Sequence, residues 1–352
     1  MESGLKGIIR VLIVDDSPMM CKVLTDILNS DPQIIVVGVA YNGKEAVDIV
    51  PKLKPDIITM DIHMSVMDGF EATKHIMAYN PTPILILSTS VFKAGMDKVF
   101  KALYYGALDA MEKGDLEINR DANSTKLLLE KIKLLSGVKV ISHPLAKLEK
   151  EKTVSIPEFP KEKALDRIVA IVASTGGPQA LMEVLKSLPA KFPCGIVIVQ
   201  HITSGFLDGL VEWLDKECKI EVKVAQDSEQ IIPGVAYIAP CEFQMRVTAE
   251  NKISLSNEPS YNGHRPSADI LLESVARVYK DGAIGVILTG MGRDGVMGMK
   301  TLKQMHGKTI AQDEKSCVVF GMPKEAIDTG VIERILPLER IAEEVIGTLK
   351  KT

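Results

Sequence analysis

Aromatic residues are scarce in this chain. They make up 5% of its 352 residues, and Trp213 is the single tryptophan. Apolar content is nevertheless ordinary for a globular protein, at 46%, so either half can bury a sizeable core. The five cysteines (Cys21, Cys194, Cys218, Cys241 and Cys317) show no paired ligand spacing and no disulfide framework. Most lie in or beside apolar runs and read as small buried thiols. HExxH and similar zinc spacings are missing, which disfavours a metallohydrolase. So is any basic excess. With 42 Lys and Arg against 46 Asp and Glu, the formal charge is -4, which argues against nucleic-acid binding. No apolar run approaches the ~20 residues that cross a bilayer. Lys6 and Arg10 interrupt the opening apolar residues, so no signal peptide is expected. Together these absences predict a soluble, cytoplasmic protein with no membrane insertion.

What is present is alternation. At about 150 residues per domain, the length suggests two domains. In the first third, IIRVLIV, IIVVGVA, DIITM and PILILS read as buried parallel strands, short and β-branched. A weaker fifth, ALDAMEK, follows. MMCKVLTDILNS, GKEAVDIVPKL and FEATKHIMAYN separate them with helical patterns, and a further helix is expected over Lys126 to Leu135. Such a βα array predicts a doubly wound parallel sheet. From about 137 to 165 the chain is rich in Lys, Glu and Pro without a core-facing period, and reads as a linker. The alternation then resumes with RIVAIVA, CGIVIVQ and AIGVILTG. Between these lie helices at ALMEVLKSL and SADILLESVARVY, and a hairpin over FQMRVTAENKISLS turning near Glu250 and Asn251. The boundaries expected are 1–136, 137–165 and 166–352.

Sites in open parallel sheets form outside the carboxyl ends of the strands. In the first domain those ends carry Asp15 and Asp16, Asp61, Ser88 and Lys113. Clustered carboxylates raise one another's pKa unless a cation joins them, and a hard divalent ion, Mg²⁺ above all, suits oxygen ligands. It would also neutralise a phosphoryl group arriving at one carboxylate, with Lys113 pairing to that group and Ser88 hydrogen-bonding to it. Capping of helices by single members is the plainer reading, but five such residues at successive strand ends make it a poor one. With the Met67-Asp68-Gly69 turn, these residues resemble a response-regulator receiver domain over roughly Ile8 to Ser136. The resemblance implies a flavodoxin-like fold, Asp61 as phosphoacceptor, Asp15 and Asp16 as Mg²⁺ ligands with Asp61, and Ser88 and Lys113 as switch residues. Three positions depart from that pattern. Ser65 and Gly114 stand where proline is usual, and Ala110 where an aromatic switch residue often sits.

In the second domain the stretch IVASTGGPQALM ends a strand in Ser174-Thr175 and enters a Gly-Gly-Pro turn. Helix capping, anion binding at a helix start and presentation of a nucleophile all fit that segment alone. Two further strand ends change the weighing. CGIVIVQ ends in His201, and AIGVILTGMGR leads to Asp294. A serine needs a base, and the base an orienting acid, if the hydroxyl is to attack at neutral pH. Chain order does not decide such a set; geometry does. The serine is not in G-x-S-x-G, so an α/β-hydrolase elbow is not supported. TGMGRDG could aim backbone amides at a carbonyl oxygen.

The motifs ASTGGP, VQH, HRPSAD and LTGMGRDG, in that order, resemble the catalytic domain of the chemotaxis response-regulator protein-glutamate methylesterases, over about Asp166 to Leu349. The resemblance implies a Rossmann-like doubly wound sheet, with Ser174 as nucleophile, His201 as base and Asp294 as orienting acid. It places the Met291 amide near the oxyanion, and Thr175 and the His264-Arg265-Pro266-Ser267 loop along the pocket. Arg265 could pair with acidic receptor helices or simply form a surface salt bridge. The activity implied is phosphorylation-activated removal of methyl esters from chemoreceptor glutamates, with release of methanol, and deamidation of receptor glutamine. The partners implied are the cytoplasmic domains of methyl-accepting chemoreceptors and a chemotaxis histidine kinase as phosphodonor; no cofactor is implied for the catalytic domain. Two rivals are a catalytically dead adaptor carrying a receiver and a nucleotide-binding domain using STGGP as a phosphate loop. The latter lacks G-x-G-x-x-G and a suitably placed acid.

Overall fold

The computed structural model describes residues 7–88, 93–117, 122–140 and 166–351. Most of the expected linker, 141–165, lies outside them. The chain falls into two compact units that divide between Lys152 and Thr153.

In the first unit the strands are β1 (Ile9–Val14), β2 (Ile34–Ala40), β3 (Ile57–Asp61), β4 (Ile84–Ser88) and β5 (Asp109–Glu112). They form one sheet in the order β2-β1-β3-β4-β5, every pair parallel. This is the flavodoxin-like order, whose topological switch lies between β1 and β3. Helices α1 (Pro18–Asn29), α2 (Gly43–Leu53), α3 (Gly69–Tyr79), α4 (Lys93–Tyr104), α5 (Gly114–Glu117) and α6 (Ala122–Leu135) join and follow the strands. Three of the helix starts are written in the sequence. Ser17, Asn42 and Asp68 cap α1, α2 and α3, each accepting a backbone N–H with its side-chain oxygen.

The second unit carries seven parallel strands. They are β6 (Ile168–Ala173), β7 (Gly195–Gln200), β8 (Glu221–Val224), β9 (Val235–Ile238), β12 (Ala283–Ile287), β13 (Lys308–Gln312) and β14 (Arg334–Leu336), in the order β14-β13-β12-β6-β7-β9-β8. A separate antiparallel hairpin pairs β10 (Gln244–Val247) with β11 (Ile253–Ser256). It turns through Asn251, whose φ of 58° is left-handed. The helices are α7 (Gly177–Lys186), α8 (Ser204–Glu217), α9 (Ala268–Tyr279), α10 (Val296–Gln304), α11 (Met322–Asp328) and α12 (Leu338–Lys351). All six residues of β6 and of β7 are buried, as expected for central strands covered on both faces. Val172 and Val199 pack in one core with Leu271, Leu272 and Val275 of α9 and Met299 and Leu302 of α10. Each such side chain contributes about 1.5–3 kcal/mol on full burial. The packing therefore fixes the strand ends, and with them the residues that follow β6, β7 and β12.

The doubly wound, two-sheet architecture expected from the alternation is the one observed. The cysteines depart from expectation in part. All five are free, but only Cys21 and Cys194 are buried, while Cys218, Cys241 and Cys317 are half-buried.

Candidate active site

Ser174 and His201 follow directly on two neighbouring strands. The β6–β7 register pairs Ala173 with Gln200, and His201 N–H donates to the Ala173 carbonyl at 3.0 Å. Gln200 clasps the two strand ends, its Nε2 donating to the carbonyls of Ser174 at 2.8 Å and His201 at 2.9 Å. On the other side, Ser174 N–H donates to the Thr289 carbonyl at 3.0 Å, just beyond β12. Three strand ends thus meet around Ser174. Its hydroxyl is not a helix cap: the N-cap of α7 is Gly176, with no side-chain cap bond. Gly290 presses against the serine. A Cβ there would lie 2.4 Å from Met322 Sδ and 2.8 Å from Ser174 Cβ, a space only glycine leaves open.

Asp294 does not cap the helix that follows it; Gly295 holds that position. Its carboxylate crosses to the N-terminus of α9. Oδ1 accepts from Ser267 Oγ at 2.9 Å and Asp269 N at 3.0 Å, and Oδ2 accepts from Ala268 N at 2.7 Å. Oδ2 also lies 2.9 Å from His201 Nε2. Burial alone would push its pKa up, but the bond to His201, that residue's charge and the α9 amides hold it below the ordinary value. An ionised carboxylate only accepts, so Nε2 carries the proton. Nδ1 is then the basic nitrogen, and it is buried with no hydrogen-bond partner among the described residues.

His264 stacks on His201, with ring centroids 4.4 Å apart and planes 12° from parallel. Burial, then the neighbouring His201, pushes the His264 pKa down, while Asp294 opposes. His201, His264 and Asp294 each bring one potential metal-ligand atom within 4.8 Å of the others. Nearly parallel imidazoles, however, aim their in-plane lone pairs along separate planes rather than at one ion. A pocket of about 400 Å³ opens beside Asp294, lined by Asn262, His264, Asp269, Arg293, Asp294 and Met297. Asp269 is a second buried acid in it. Burial lifts its pKa to about 6 against the amide of Gly298, with Asp294 adding to the rise.

The other expected pocket residues take distinct places. Met291 is 37% exposed, and its N–H has no hydrogen-bond partner among the described residues. Thr175 is buried and its carbonyl accepts from Thr289 Oγ1 at 2.9 Å. Arg265 is engaged, donating to Glu242 Oε2 at 2.6 Å, and does not line the pocket beside Asp294. The roles of Gln200, Thr289 and Ser267 in holding the strand ends and the acid were not expected from sequence.

In the first unit, Lys113 Nζ lies 2.6 Å from Asp15 Oδ2 and 2.9 Å from Asp61 Oδ2. Asp15, Asp61, Ser88 and Lys113 are buried and Asp16 is exposed. Burial opposes the lysine's charge, but Asp61 and Asp15 outweigh it and raise its pKa. Burial chiefly, and then Asp15, raise the pKa of Asp61 in spite of Lys113. Asp15, Asp16 and Asp61 bring one oxygen each within 4.8 Å of the others, an acidic pocket of the kind that takes Mg²⁺. Gly69 lets the start of α3 pack against the end of β3, since a Cβ there would lie 1.9 Å from the Asp61 backbone carbonyl oxygen.

Residues 169–345 match the family model of the CheB methylesterases, and residues 11–118 match that of the response regulator receiver domain. The chain is 43% identical over 341 residues to the protein-glutamate methylesterase/protein-glutamine glutaminase 1 of Syntrophus aciditrophicus, covering 96% of this chain and 97% of that protein. The chain belongs to the CheB methylesterase family. Identity is 40% over 351 residues to the protein-glutamate methylesterase/protein-glutamine glutaminase of Pyrococcus horikoshii, covering 97% of this chain and 94% of that protein. Among solved structures, the Thermotoga maritima CheB methylesterase catalytic domain superposes with a TM-score of 0.51 at 40% identity, over 53% of this chain and 98% of that one. Family membership is consistent with the bonded His201, Asp294 and Ser267. No helix among the described residues is long and apolar enough to cross a membrane.

Proposed function

We propose that this chain is a protein-glutamate methylesterase and protein-glutamine glutaminase whose catalytic set is Ser174, His201 and Asp294, governed by phosphorylation of Asp61. The observation that carries the catalytic assignment is the state of His201. Its Nε2 is held by a carboxylate, its Nδ1 is buried and without a hydrogen-bond partner among the described residues, and its backbone is bonded to the end of β6 that leads into Ser174.

The steps follow from those groups. Ser174 Oγ attacks the carbonyl carbon of a glutamate γ-methyl ester while His201 Nδ1 takes the hydroxyl proton. Asp294 balances the imidazolium that forms. The Met291 N–H is the candidate oxyanion donor, and such a donor is worth about 2.7–4 kcal/mol of barrier. The tetrahedral adduct collapses, His201 passes its proton to methoxide, and methanol leaves. Water, deprotonated by His201, then cleaves the acyl-serine and frees glutamate. With glutamine the same steps release ammonia. The substrates are the cytoplasmic helices of methyl-accepting chemoreceptors.

In the receiver, the donor set of Asp15, Asp16 and Asp61 is all hard oxygen and carries an excess of negative charge over Lys113, which fits Mg²⁺. Those three residues would hold the ion, and bound there it would neutralise an incoming phosphoryl group. Asp61 is the phosphoacceptor, a chemotaxis histidine kinase the phosphodonor, and Lys113 and Ser88 are the residues that would contact the phosphoryl oxygens.

The test of the esterase is methanol release from methylated receptor fragments. Ser174→Ala should cut turnover by about 10³-fold or more. Turnover equal to that of the wild type removes Ser174 from the mechanism, and no methanol from the wild type favours a non-catalytic adaptor.

A further inference from the structure

We propose that His264 is a positioning residue for this reaction, an aromatic plate that fixes the plane of the His201 ring and supports its imidazolium form. The proposal rests on the reading of His201 as the base. An imidazole that must receive a proton from Ser174 and later return it has to keep one rotation about its side chain. The Asp294 bond pins one nitrogen of His201, but a single bond leaves the ring free to rock about that contact. The second constraint is the face of His264, which covers His201 at 4.4 Å and 12°. With an edge and a face both held, the direction of Nδ1 is set.

His264 is mounted rigidly enough to serve. Its backbone exchanges two hydrogen bonds with Tyr261, at 3.0 and 2.9 Å. Its carbonyl also accepts from Gln244 Nε2 at 3.1 Å, and Gln244 is fully buried. The loop continues into Ser267 and α9, the elements that grip Asp294. One short segment therefore holds both the acid and the plate.

The electrostatics favour one proton on the stacked pair. The charged groups that line the pocket with His264 are the acids Asp294 and Asp269 and the cation Arg293. Burial and His201 both disfavour charge on His264, so a proton arriving from Ser174 stays on the ring that Asp294 faces. A neutral aromatic face over that ring attracts the cation through its π electrons. Two charged rings would instead repel.

The experiment measures methanol release by the full-length protein, with kcat and KM separated, for His264→Ala, His264→Leu and His264→Phe. Ser174→Ala provides the blank, and thermal melts check folding. Ala and Leu should lower kcat roughly 10- to 100-fold, as misplacement of a reacting group does, with KM within about threefold of wild type. Phe should restore kcat to within about threefold of wild type, because it keeps the ring face and the volume. Leu is the packing control. If Leu restores kcat as well as Phe, or Phe is no better than Ala in a folded protein, the plate is refuted. Refutation also follows if the loss appears only in KM, as a simple pocket wall would give. If Ala unfolds, the Phe and Leu comparison decides alone. Absence of methanol from the wild type would strike the esterase reading itself and take the plate with it.

Discussion

Asp294 is gripped by Ser267, Ala268, Asp269 and His201 at once, so a change of one oxygen to an amide is felt on every side. In Asp294→Asn the new NH₂ group must face donors, and the negative charge that supports imidazolium is gone. By analogy with the same change in a serine protease triad, kcat should fall by about 10⁴-fold. The stability effect has a defined sign. The folded-state pKa of Asp294 lies below its ordinary value, so its contribution is present above the unfolded pKa and lost as pH falls through the folded one. Melting curves of wild type and Asp294→Asn should still differ at pH 5 and converge only below about pH 4. Convergence already at pH 6 would contradict the assignment. Asp61 behaves oppositely. Burial raises its pKa, so it takes up a proton at a higher pH than an ordinary carboxyl, in competition with a cation. Mg²⁺ should raise the receiver's melting temperature at pH 8 by mass action and do so less at pH 5.5. Asp61→Asn should lose most of the effect at both.

At the scale of elements, each site is a row of strand ends, and the loops between them tolerate little. Gly290 lies where the loop after β12 meets Ser174 and α11. Gly290→Ala drives a methyl group toward Met322 Sδ and Ser174 Cβ. Overpacking of this kind costs about 1–3 kcal/mol, so the melting midpoint should drop. Methanol release below that midpoint should drop further, because the displaced atom belongs to Ser174; a protein as active as wild type would show that the loop yields elsewhere. The strand ends were legible in sequence because β1, β3, β4, β6, β7 and β12 are continuous apolar runs, and a run that stops at Asp61, Ser174 or His201 marks its own end. Strands β8 and β9 are not legible in the sequence, since EVKV and VAYI are four residues long and too short to show a period. β13 is hidden for another reason: its inner residues are buried, but KTIAQ mixes polar with apolar side chains. The partners of Asp294 were hidden differently. Ser267 to Asp269 lie 25 to 27 positions away, and no spacing rule links a loop acid to the start of a helix other than its own. His264 was legible as a pocket residue, but a ring stacked on His201 has no signature in a string of letters.

The whole molecule joins two sheets that would each stand as a unit, and the proposed function makes one answer to the other. A switch of this kind needs little energy, since a tenfold change in rate corresponds to about 1.4 kcal/mol, within reach of one charge-assisted hydrogen bond. If Asp61 is the phosphoacceptor, a small phosphodonor with Mg²⁺ should raise methanol release from the full-length protein by tenfold or more. Asp61→Asn should show no rise, and chelation of Mg²⁺ should remove the wild-type response. A rise that persists in Asp61→Asn would place the effect outside the acidic pocket of Asp15, Asp16 and Asp61. The direction of control is testable separately. A chain beginning at Asp166 retains all seven strands of the second sheet and the residues around Ser174, and the related Thermotoga maritima catalytic domain is itself a solved structure. If the unphosphorylated receiver restrains the esterase, this shortened chain should work without a phosphodonor at the stimulated rate. If instead it works at the unstimulated rate, the receiver activates rather than restrains, and phosphorylation must add a contact rather than release one.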